Sequence, residues 1–290
     1  MSSDKASERA LQASIAKAAA DDKGWGYHAP KGYELKERAA GLVALITGGG
    51  KGVGAGVARV FCAHGIRCCM GYNTSAALAE HTLAGIRETG GDAFLYQADV
   101  TVPEQLQGMI DATIARYGRL DVLVNNAAMQ PNRFIGEYTA EEFSRLWDIN
   151  IGGYWRAARG CLPWLRKSPN AHIINVSSVH GKRPTCFDAG YAMTKGAIRM
   201  FTRELALELL RDGITVNAVD LGGCAIEGKT GGATFRGHMP VESGFGCGDN
   251  GVNTLCVPED VGRLAYFLVS GEGDALTGDG IRVDRGLLLL

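Results

Sequence analysis

The stretch Thr47-Gly-Gly-Gly-Lys-Gly-Val-Gly54 constrains this chain most, because of what flanks it. The apolar run Leu42–Ile46 reads as a buried strand, and Ala55–His64 reads as a helix. A strand that turns through glycines into a helix opens a βαβ unit, and repeats of that unit build a parallel sheet. Glycines let the turn tighten and the backbone approach a ligand, while the helix N-terminus offers N–H groups to a pyrophosphate. Gly48, Lys51, Gly52, Val53 and Gly54 are therefore candidate cofactor contacts.

The alternation continues along the chain. Strands are expected at Ile66–Gly71, Ala93–Ala98, Asp121–Val124, Ile173–Val176, Ile214–Val219 and Ile281–Asp284. Helices are expected at Ser75–Thr89, Pro103–Tyr117, about Ala140–Lys167, from Tyr191 to about Arg211, and Pro258–Ser270. This predicts one α/β domain over residues 41–290, preceded by an extension over 1–40. The extension reads as a helix to about residue 22 and then a turn-rich aromatic arm, Gly24–Pro30, in which His28 is structural. Periodicity is lost between Gly222 and Cys256, a span long enough to predict a substrate loop. The apolar tail Leu287–Leu290 points to burial in an oligomer interface.

Composition narrows the class of partner. A formal charge of -1 over 290 residues argues against nucleic acid or an anionic membrane. No apolar run reaches the roughly 18 residues of a spanning helix, and no secretory pattern opens the chain, so a cytoplasmic protein is expected. The 8 cysteines include no C-x-x-C spacing, so neither a zinc site nor a dithiol pair is proposed.

Two places carry the chemistry. After the second strand, an acid would bind a ribose 2′-OH. The chain has uncharged Tyr72-Asn73-Thr-Ser75 there, with Lys51 in the glycine turn, which favours a 2′-phosphate and so NADP. Lys51 as a solvated turn residue would leave that choice open. At the fifth strand, Ser177 and Ser178 fall at the C-terminal end, where open α/β sheets bind ligands. Tyr191 and Lys195, four apart on the following helix, share a face. A lysine ammonium there is expected to pull the phenol below its usual value of roughly 10, making Tyr191 a proton donor or acceptor. Asn125 and Asn126 fit loop bonding and ligand contact equally, and Asn150 is a poor helix former in mid-helix.

From about Leu42 to Gly286 the chain resembles the short-chain dehydrogenase/reductases. Thr47-Gly-x-x-x-Gly-x-Gly54, Asp99, Asn125-Asn-Ala, Asn150, Ser178 and Tyr191-x-x-x-Lys195 stand in that family's order. The resemblance implies a Rossmann-type, doubly wound, mostly parallel sheet of about seven strands. It also implies a homotetramer or homodimer packed through its long helices, and hydride exchange between NAD(P) and an alcohol or carbonyl. Tyr191 would be the acid in reduction and the base in oxidation. Lys195 would lower its pKa and bond the nicotinamide ribose, Ser178 would hold the substrate oxygen, and Asn150 would perturb its helix so that water links Lys195 to solvent. Asp99, with Val100 beside it, would lie at the adenine, and Asn125 near the ribose.

The chain departs from the family's pattern at Ala128, Leu221, Ile226 and Arg285, the middle two at the nicotinamide end of the pocket. Ser178-Val-His180, Tyr72-Asn73 and Asn126-Ala-Ala-Met129 resemble the glucose 1-dehydrogenase branch, which implies a sugar or polyol substrate. His180 either reaches a substrate hydroxyl or caps the turn at Gly181. The competing enzyme is a reductase of a ketone or 3-oxoacyl thioester, and the competing class is a non-catalytic NADP-binding sensor.

Overall fold

The computed structural model describes residues 39–184, 188–226 and 255–289. The predicted N-terminal helix and arm with His28, most of the substrate loop, and Leu290 lie outside the described residues. Seven strands are present: β1 (Val43–Ile46), β2 (Arg67–Tyr72), β3 (Ala93–Gln97), β4 (Val122–Asn125), β5 (His172–Ser178), β6 (Thr215–Leu221) and β7 (Gly280–Val283). They form one sheet in the order β3-β2-β1-β4-β5-β6-β7. Every pairing is parallel. The fold is the Rossmann-type doubly wound sheet that the resemblance implies.

A parallel sheet needs apolar cover on both faces. Along β1, Ala44 and Ile46 enter one apolar cluster while Val43 and Leu45 enter another, the two-residue period of a strand. The first cluster is closed by α1 (Gly52–Ala63), α2 (Ala76–Glu88) and α7 (Pro258–Val269). The second is closed by α3 (Pro103–Tyr117), α5 (Gly153–Leu165) and α6 (Ala189–Leu209). The short helix α4 (Ala140–Trp147) opens with a capping box in which Thr139 accepts from Glu142 N at 3.1 Å.

Three predicted boundaries change in ways that matter for the site. Helix α1 begins at Gly52, so Gly52, Val53 and Gly54 form its first turn. Strand β5 continues past Val176, and Ser177 and Ser178 are its last two residues. The single helix predicted over Ala140–Lys167 is instead α4 and α5 joined by a π-helical turn, Asp148–Gly152. A π turn adds a residue to the helical path, and apolar periodicity on either side cannot reveal it.

Strand order reverses between β1 and β4, because the chain finishes β3 at one edge and resumes beyond β1. Ligands of open α/β sheets lie outside the carboxyl ends of the strands at that crevice. Both predicted motifs, the glycine turn and the end of β5, reach it.

Candidate active site

The cofactor side is built from backbone. Gly48 (φ +63°) and Gly52 (φ +56°) take left-handed conformations that suit glycine. A Cβ on Gly54 would lie 2.4 Å from the Gly48 carbonyl and 2.6 Å from Asn126 Nδ2, so no side chain fits there. Asn126 clamps the turn, donating from Nδ2 to the carbonyls of Thr47 and Gly48, both at 2.9 Å. The N-cap Lys51 makes no side-chain cap bond, which leaves the first-turn amides of α1 uncapped by it. These features fit a pyrophosphate.

At the end of β2, Lys51 Nζ donates to Ser75 Oγ at 2.8 Å, so the ammonium spans from the glycine turn to the segment after β2. Asn73 Nδ2 donates to Asp99 Oδ2 at 2.9 Å, and Thr101 N and Oγ1 donate to Asp99 Oδ1 at 2.9 and 2.7 Å. Burial pushes the Asp99 carboxyl up, but those bonds and the charge of Arg145 outweigh it and hold it below its usual value. Tyr72 ends β2 half-buried, and Val100 is buried beside Asp99. Ile226 stands over Gly52, its Cγ2 3.2 Å from where a Cβ would be.

Asn125 is placed differently. Its side chain is fully buried, donating to Asn175 Oδ1 at 2.9 Å and the Tyr154 carbonyl at 3.5 Å. It ties β4 to β5 and α5, which is the structural bonding that is one of the two roles expected of it. Alternation along the strand explains this, since neighbouring side chains point to opposite sides.

On the catalytic side, Ser178, Tyr191 and Lys195 come together at the end of β5. The Ser178 side chain is near enough to the Tyr191 phenol to favour its ionised form. Ser178 Oγ also lies 2.9 Å from His180 Nδ1 and 3.2 Å from the Leu221 carbonyl. His180 contacts Ser178 and lies in the turn ending at Gly181, a turn capped by the Ser178 side chain, which accepts from His180 N at 3.3 Å. Its ring meets Tyr191 edge-on at 5.5 Å. A Cβ on Gly181 would lie 2.6 Å from the Lys195 carbonyl carbon, and this close approach brings the turn against α6.

Lys195 is 2% exposed and donates from Nζ to the Val176 carbonyl at 2.8 Å. Tyr154 donates to the same carbonyl at 2.9 Å. The ammonium lies 5.4 Å from the Tyr191 ring centroid and 5.7 Å from that of Tyr154, within cation–π range of both. Burial pulls the Lys195 pKa down to about 7. Burial also pushes the Tyr191 phenol above its usual value, outweighing the opposite influence of Ser178. This runs opposite to the expected direction: burial is the largest influence on the phenol and favours its protonated form.

Asn150 sits in the π turn, fully buried. Its Oδ1 accepts from Met129 N at 2.8 Å, and its Nδ2 donates to the Met129 carbonyl and Thr194 Oγ1, both at 3.0 Å. Thr194 Oγ1 donates to the Tyr191 carbonyl at 2.7 Å. Asn150 therefore reaches α6 through Thr194, a residue that no sequence signal singles out. Asp188 is likewise not among the predicted site residues, although an aspartate three positions before Tyr191 is an ordinary helix N-cap signal. A surface cavity of about 270 Å³, lined by Ile135, Tyr138, Phe143, Gly190 and Met193 among others, contains none of the predicted site residues.

Residues 42–231 match the family described as short chain dehydrogenase. This chain is a short-chain dehydrogenase/reductase. It is 31% identical to glucose 1-dehydrogenase 2 of Bacillus subtilis, covering 86% of this chain and 95% of that protein. It is 34% identical to 3beta-hydroxysteroid dehydrogenase 1 of Eggerthella lenta, covering 86% and 94%. A short chain dehydrogenase from Burkholderia cenocepacia, solved in complex with NADP, superposes with a TM-score of 0.77 at 27% identity, covering 87% of this chain and 99% of that one. The protein is thus an NAD(P)-dependent oxidoreductase of small molecules, acting as an alcohol dehydrogenase or ketone reductase. Among the described residues, no helix is long and apolar enough to cross a membrane.

Proposed function

We propose an NADP(H)-dependent enzyme that interconverts an alcohol and its ketone, with a sugar or polyol as the alcohol. The observation that carries the reaction is the convergence of Ser178, Tyr191 and buried Lys195 at the end of β5, with the Lys195 ammonium 5.4 Å from the Tyr191 ring centroid. The nicotinamide supplies or accepts the hydride. Ser178 holds the substrate oxygen, and Tyr191 gives its phenol proton to that oxygen in reduction or removes it in oxidation. Lys195 steadies the phenolate that forms, its own charge costly in so dry a place. Asn150 and Thr194 fix the helical turn behind Tyr191. The uncapped N-terminus of α1 holds the pyrophosphate, and Lys51, Ser75 and Asn73 receive a 2′-phosphate, since no acid ends β2. Asp99 and Val100 lie at the adenine.

The sugar reading is supported by the polar wall of Ser178 and His180 and by the Bacillus subtilis relative. A second reading, reduction of a ketone or 3-oxoacyl thioester, is supported by the burial of Tyr191, which favours the acid form of the phenol that reduction uses. The protein is further proposed to be cytoplasmic, a homodimer or homotetramer, with one domain from residue 41 and an N-terminal extension. A turnover screen of sugars, polyols and ketoesters with NADPH/NADP and NADH/NAD tests both. Oxidation of a polyol with NADP supports the first, and turnover of ketoesters alone supports the second. Equal rates with both cofactors remove the NADP assignment.

A further inference from the structure

The carboxylate of Asp188 is 1% exposed and collects three donors. Its Oδ1 accepts from Tyr191 N at 3.0 Å and from the Tyr138 hydroxyl. Its Oδ2 accepts from Asn132 N at 2.8 Å. Asp188 (φ +57°) and Asn132 (φ +56°) are both non-glycine residues in the left-handed region. Such conformations are strained for a residue with a Cβ and persist where surrounding contacts over-determine them. A helix cap needs one acceptor, and Ser, Thr or Asn serve as well. Asp188 holds more than a cap does: the loop after β4, Tyr138 before α4, and the first turn of α6 converge on it.

Its charge faces the reacting phenol. Around Tyr191 stand Lys195 from α6, Tyr154 from α5, Ser178 from β5 and His180 from the turn after it. Asp188 adds a negative charge to this set and pushes both Tyr191 and His180 toward their protonated forms.

We infer that Asp188 is a positioning residue for the proton-transfer step: one buried carboxylate fixes the Tyr191 backbone to the loop after β4 and sets the charge around its phenol. This rests on the function proposed above. Asp188→Asn keeps the size and one acceptor but removes the charge. Its kcat for alcohol oxidation falls roughly tenfold at nearly unchanged KM for the cofactor, as expected for a small misplacement of a reacting group. The pH of half-maximal oxidation moves down by about one unit, because the base form of Tyr191 is no longer opposed by a neighbouring anion. Tyr138→Phe leaves the cap intact and lowers kcat about threefold at an unchanged KM.

An Asp188→Asn protein with wild-type kcat and wild-type pH midpoint overturns the inference and leaves Asp188 a cap. If that variant does not fold, Tyr138→Phe decides: unchanged kcat overturns, a severalfold loss at constant KM supports. A wild-type protein without turnover in the whole screen removes the proposed function and this inference together. Turnover in the wild type with no response in the variants removes the inference alone.

Discussion

The two sides of the crevice are made of different material. Around the glycine turn, recognition is left to backbone: side chains are excluded at Gly54, and the clamping Asn126 bonds carbonyls. At the end of β5, the work falls to buried side chains: Tyr191, together with Ser178, Lys195 and Asn150, each of these three donating to a backbone carbonyl. A pyrophosphate is a diffuse anion that any row of N–H groups can satisfy. Proton transfer needs particular atoms with particular affinities for the proton, which only a dry, fixed network supplies. The first side therefore tolerates sequence change that preserves shape, and the second tolerates almost none.

Four experiments strain that contrast. The largest effect is on stability at the catalytic side. Lys195 titrates near 7 in the fold and at 10.5 when unfolded. Between those values the unfolded chain binds more protons, so this group makes stability rise with pH across that window and leaves it lowest below. The full swing is roughly 5 kcal/mol. Urea unfolding at pH 7 and pH 9 should show the wild type gaining on Lys195→Met over this interval; parallel behaviour would mean that Lys195 is charged when folded. Next, Tyr191→Phe should lower turnover at least about a hundredfold. Cofactor affinity, measured by nicotinamide fluorescence, should be retained, as the two sides are separate in kind.

Gly54→Ala tests the backbone side in reverse. It should weaken cofactor binding by roughly tenfold or more, because the added methyl meets the Gly48 carbonyl and forces the turn open. Undiminished binding in that variant would place the pyrophosphate elsewhere. The smallest effect belongs to Lys51→Ala, which should cut the preference for NADPH over NADH about tenfold, the weight of one charge-assisted bond. An unchanged preference ratio would return Lys51 to the role of a solvated turn residue.

Much of this contrast is legible in the amino-acid sequence. The alternation of apolar runs and helical periods gives the seven-stranded sheet, because each strand buried on both faces has to be apolar throughout. Ser178 stands out at the carboxyl end of a buried strand, and Tyr191 and Lys195 stand out by sharing one face of the helix that follows. Three things do not. Whether Asn125 or Asn126 faces the crevice depends on which way the last strand residue points, a matter of register. The ionisation of Tyr191 and Lys195 depends on how dry the site is, which spacing does not encode. Asp188 looks like any helix cap until Tyr138 and Asn132 arrive from about fifty residues upstream.

The π turn at Asp148–Gly152 has a consequence for the phase of everything after it. Each helical residue advances the side-chain direction by about 100°. One residue more or less in that turn would rotate α5 by that angle about its axis, carrying the Tyr154 hydroxyl away from the Val176 carbonyl that it shares with Lys195. The same change would lift Asn150 from Met129 and Thr194. A single-residue deletion there would straighten the helix and at one stroke put two walls of the catalytic chamber out of phase.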